Sequence, residues 1–118
     1  MYPQGKREKI MREVTVEEVA QVLDAAAGLY ESGAYGWVQG MYSYDPPSEE
    51  PKRCMLGIIA VAAYETNRSR AVKMSFEARR AVGIEIGHIP TWNDNPERTL
   101  DEVIEILKGT AKDLWNSQ

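Results

Sequence analysis

"CMLGIIAVAAY", residues 54–64, decides how the rest of this chain must be arranged. Apart from Gly57 every side chain in it is apolar, so as a helix it offers water no face. A helix apolar all round belongs in the middle of a bundle, where neighbours cover it. The run is too short to cross a bilayer, which takes about 20 helical residues. Pro51 suits the first turn of a helix, which predicts that this one runs from Pro51 through "KRCMLGIIAVAAYE". Gly57 inside it costs roughly 1 kcal/mol relative to alanine, a cost usually offset by close approach of another backbone or a ligand.

Covering elements can be read on both sides. Upstream, "TVEE" at 15–18 is a capping box, in which Thr15 accepts from the amide three residues on and Glu18 reaches back to the Thr15 amide. Val16, Val19, Leu23, Ala26, Ala27 and Tyr30 then recur at helical spacing, and Gly33 stands where a left-handed cap ends a helix over about 16–31. Downstream, "TLDE" at 99–102 is a second capping box. Leu100, Val103, Ile104, Leu107, Ala111, Leu114 and Trp115 follow it as one apolar stripe. Between these, a helix over about 69–82 has Ala71, Met74, Ala78, Ala81 and Val82 on one face and Gly83 at its end. Its other face, with the turn before it, holds Arg68, Arg70, Lys73, Arg79 and Arg80 against Glu77.

The fold expected is therefore mainly α: a compact four-helix domain over 14–118 with a central apolar helix, behind a basic N-terminal arm over 1–13. One minimal two-stranded β pairing is added. Trp37 to Tyr44 reads as extended before the turn at Pro46 and Pro47, and a lone strand cannot satisfy its own backbone. The alternating "IEIGHI" at 84–89 is the partner expected for it.

The totals narrow the function. The 118 residues fit one domain. The single cysteine, Cys54, excludes an internal disulfide and points to a reducing, cytoplasmic location. No secretory leader is read in "MYPQGKREKI". A net charge of −4 argues against wholesale nucleic-acid binding. No metal site and no cofactor are expected, because Asp45, Glu49 and Glu50 are the closest acidic set and make no recognisable shell. Phosphate-loop, dinucleotide and hydrolase-elbow motifs are absent from the sequence.

Trp92-Asn93-Asp94, then Arg98-Thr99, then Glu102-Val103 leading into the last helix resemble the closing pattern of a small bacterial and bacteriophage family of unknown function. Gly36-Trp37-Val38-Gln39-Gly40 and Cys54-Met55-Leu56-Gly57 resemble its earlier motifs, so that the likeness covers about residues 16–114. Glu97 stands where the family pattern has glycine. The resemblance implies a shared helical fold and a phage or prophage setting, and no reaction.

Trp92, Asn93, Asp94 and Arg98 have two readings. As structure, they form a turn that starts the last helix, with Arg98 paired to Asp94 or Asp101. As a site, Trp92 stacks a ligand, Asn93 and Asp94 bond a base or ribose, and Arg98 clamps an anion, with Trp37 and Gln39 completing the pocket. Cys54, beside Lys52 and Arg53, precedes His88 and then Asn93 or Asp94 in the chain order of cysteine hydrolases. Yet it opens an apolar helix, where a free cysteine usually serves as a small hydrophobe. The leading expectation is a non-enzymatic binding protein, phage- or prophage-encoded, that occupies a host protein or sequesters a nucleotide-like ligand to evade host defence. A host-protein inhibitor would expose an apolar patch, with Met41, Tyr42 and Tyr44 as candidates, and such a patch also suits a homodimer. The alternatives are a weak DNA-binding accessory protein using the basic helix 68–80 and a small hydrolase using Cys54.

Overall fold

The structure, a computed structural model, describes residues 14–40 and 51–117. The basic arm, the Met41 to Tyr44 candidates and the acidic set 45–50 lie outside the described residues. Five α-helices are present among those described: α1 Val16–Glu31, α2 Met55–Thr66, α3 Ala71–Ile86, the short α4 Ile89–Asn93, and α5 Leu100–Asn116. Two-residue strands β1 Gly36–Trp37 and β2 Lys52–Arg53 precede α2, and a single 3-10 turn, Arg68–Arg70, precedes α3.

α1 begins where its capping box places it. The Thr15 hydroxyl accepts from the Glu18 amide at 3.1 Å, and the Thr15 amide donates to the Glu18 carboxylate at 2.9 Å. That bond is the largest cause that holds the Glu18 pKa below its ordinary value; burial pulls the other way, and the Arg70 guanidinium paired with the same carboxylate adds to the lowering. Its contribution is therefore present at neutral pH and lost as acid protonates the group. α5 has the same box, with Thr99 accepting from the Glu102 amide at 3.2 Å. Gly33 takes the expected left-handed conformation, φ 79°, just past the end of α1.

The core joins all of the longer helices. α1 contributes Val22, Leu23, Ala26 and Ala27, α2 Met55, Ile58, Ile59 and Ala62, α3 Met74, Ala78 and Val82, and α5 Val103, Leu107 and Ala111. Many of these are alanines, whose lack of bulk lets helix axes approach closely. α1 packs most extensively on α5 and also touches α2 and α3, so it shares the middle of the bundle with α2. α2 is not covered all round: Ala60 is exposed, and Tyr64 is 51% exposed with the Arg68 guanidinium 5.0 Å from its ring centroid. An alanine costs little in water, and the stacked arginine shields the ring.

α5 buries one polar group without a partner, the Thr110 hydroxyl, in a side chain 4% exposed. An unmade hydrogen bond in the interior is unfavourable, whereas a methyl of the same shape is not. Thr110→Val is expected to raise the unfolding free energy by about 1 kcal/mol, read by urea denaturation. A loss of stability would show that the hydroxyl has a partner.

Three sequence expectations are corrected. Residues 84–86 are not a strand paired with the segment that begins at Trp37. They are the last turn of α3, because Met74, Ala78, Val82 and Ile86 continue one i, i+4 row past Gly83, and the helix stops instead at Gly87, φ 79°. The actual pairing is parallel, Gly36 with Lys52 and Trp37 with Arg53. A larger residue at 36 would be tight, since a Cβ there would lie 3.2 Å from Lys52 Cγ and the lysine side chain would have to shift slightly. Finally, α2 starts at Met55 and not at Pro51, because Lys52 and Arg53 are extended and the Pro51 carbonyl accepts from the Gly36 amide at 2.9 Å.

Candidate functional site

Cys54 occupies the N-cap position of α2 and makes no side-chain cap bond. The first amides of a helix need acceptors from outside it. Asn93, at the end of α4 and 38 positions downstream, supplies one: its Oδ1 accepts from the Met55 amide at 3.1 Å and from Trp37 Nε1 at 2.7 Å. Its Nδ2 donates to the Val38 carbonyl at 3.1 Å and to Asp94 Oδ1 at 2.9 Å. An amide side chain has two donors and two acceptor sites, so Asn93, 1% exposed, is fully used inside the chain.

The neighbours extend this joint. Gln39 Nε2 donates to the Asn93 and Asn95 carbonyls at 2.9 and 2.7 Å, and the Gly40 amide donates to Asp94 Oδ1 at 2.9 Å. Trp92 packs against the core, and the Arg98 guanidinium lies 3.7 Å from its ring centroid. Arg98 also donates to the Trp92 carbonyl at 3.0 Å and pairs with Glu102 at 3.6 Å. The expected partners Asp94 and Asp101 are replaced by Glu102, one turn into α5, where an i, i+4 pair can form.

All six residues singled out as a pocket thus gather at one place, and Trp37, Gln39, Asn93 and Asp94 bond one another directly or through backbone. The structural role accounts for every polar atom of Asn93 and engages one ring face of Trp92. Chemically the joint is a clamp that fixes the 36–40 segment to the start of α2. Beside it lies a cavity of about 140 Å³ lined by Gly40, Cys54, Leu56, Ile89, Pro90, Asn93 and Asp94.

Cys54 is buried, and the Tyr30 hydroxyl donates to the adjacent Arg53 carbonyl at 2.6 Å. Burial, with the Cys54 sulfur as a second cause, pushes the Tyr30 phenol pKa far up, so it stays a neutral donor. His88 is exposed and caps α4, its Nδ1 meeting the Thr91 hydroxyl at 2.7 Å and the Thr91 amide at 3.4 Å. It does not line the cavity with Cys54. Among the described residues no group of acids, cysteine and histidine could hold a metal ion.

The basic residues are spread around several faces. Arg70 pairs with Glu18 on α1, Arg68 covers Tyr64, Arg79 Nε donates to the Ser75 carbonyl at 3.4 Å, and Arg80 lies 3.9 Å from Glu77. Lys73 is exposed on α3. All five thus make interactions within the chain, and they do not form one continuous cationic strip.

What reading the sequence missed is the apolar part of that helix surface. Val72 is 83%, Ile84 79% and Phe76 57% exposed. At about 100° per residue, Val72, Gly83 and Phe76 fall within about 40° of one another, on the side away from the buried Met74 and Ala78 and roughly a quarter to a third of a turn from Val82. Arg80, Lys73 and Ile84 continue the same outward face. The signal was the pair Val72 and Phe76, four residues apart within a face otherwise read as charged.

The model of a family described as of unknown function (DUF6197) matches residues 14–113. No curated protein and no solved structure matches the chain. Among the described residues, no helix is long and apolar enough to cross a membrane.

Proposed function

This chain belongs to that family of unknown function over most of its length, and from its own geometry we propose that it is a non-enzymatic binding protein that docks a partner protein on the outer face of α3. The observation that carries this is Val72 and Phe76, large apolar side chains open to water one turn apart on the same side of one helix, with exposed Ile84 about 80–120° further around it. Singly exposed apolar residues are ordinary, whereas large ones exposed side by side mark an interaction surface. The reading also takes the partner to be a cytoplasmic protein of a bacterial host, with the chain phage- or prophage-encoded and acting in evasion of host defence. The joint around Asn93 then serves as a brace that keeps the bundle rigid. Its internally satisfied polar atoms favour this role over a nucleotide pocket, and a buried Cys54 without His88 beside it favours a packing role over catalysis.

The test is a photo-crosslinking amino acid at position 76, with one at Lys112 on α5 as the control, expressed in the bacterial host. We expect one protein to be crosslinked from position 76 and not from 112. That product should fall by about tenfold or more when Val72 and Ile84 are both changed to serine, the loss usual for central contacts of an interface. Products that are the same from both positions, or indifferent to the serine changes, overturn the proposal.

A further inference from the structure

We draw no further inference here: the strongest candidate, the cavity of about 140 Å³ beside Cys54 at the start of α2, sets a lone cysteine at a helix N-terminus, and no second group in its lining points to a ligand, since Asn93 uses every polar atom of its side chain within the chain.

Discussion

Replacing Asn93 with alanine lowers the unfolding free energy by about 3–5 kcal/mol, the largest effect expected of any single polar substitution in this protein. The change strands the Trp37 indole N–H, the Met55 amide and the Val38 carbonyl at one stroke. Each unsatisfied buried group costs about 1–3 kcal/mol, moderated where water can reach it. At roughly 4 °C per kcal/mol for a domain of this size, Tm should fall by about 12 °C or more. Differential scanning calorimetry reads this directly. Asn93→Asp separates the roles of the two ends of the amide. It keeps an acceptor for Met55 and Trp37, loses the donors, and sets a second carboxylate beside Asp94. Its stability should therefore recover in part when acid protonates one of the pair, whereas that of Asn93→Ala should not. An Asn93→Ala protein that melts with the wild type would mean that the joint is not a brace, and the rigid scaffold assumed for α3 would lose its support.

Leu107→Ala is expected to cost about 2–5 kcal/mol. Leu107 is fully buried at the centre of the α5 stripe, on the helix that packs most extensively against α1. Truncation leaves a cavity in a core rich in alanines, which have no rotamers with which to fill it. Trp115→Ala in the same stripe should cost much less despite the larger side chain. Trp115 is 39% exposed and its indole N–H reaches Asp24 at 3.1 Å on the surface. Chemical denaturation of the two variants gives the comparison. Equal losses would mean that α5 sits on α1 in a different rotation from the one described.

Within the candidate site, the sequence marked residues that the fold brings together but could not say what they do. Trp37, Gln39, Asn93 and Asp94 were singled out because polar and aromatic side chains crowd two short segments. Their convergence spans 54–56 positions of chain, and no local pattern specifies a contact of that range. The outer face of α3 was overlooked for the opposite reason. Charged neighbours mask Val72 and Phe76 in a periodicity count, and Ile84 and Ile86 alternate over too few residues to tell strand from helix.

What the sequence settled by itself is the set of features that act within a turn or two. Both capping boxes form as their spacing requires, because donor and acceptor lie three residues apart and any helix starting there brings them together. The buried face of α1 and most of that of α5 follow from the 3.6-residue period in the same way. Only the tertiary structure decided where α2 begins, which two segments pair as strands, and that α3 runs to Ile86. Each of those outcomes depends on a partner elsewhere in the chain: Asn93 capping α2 from 38 positions away, Gly36 set against Lys52, and the core extending the helical row past Gly83. Hydrogen bonds and burial reward such contacts only after the chain has closed on itself, so their choice is made by packing and not by local propensity.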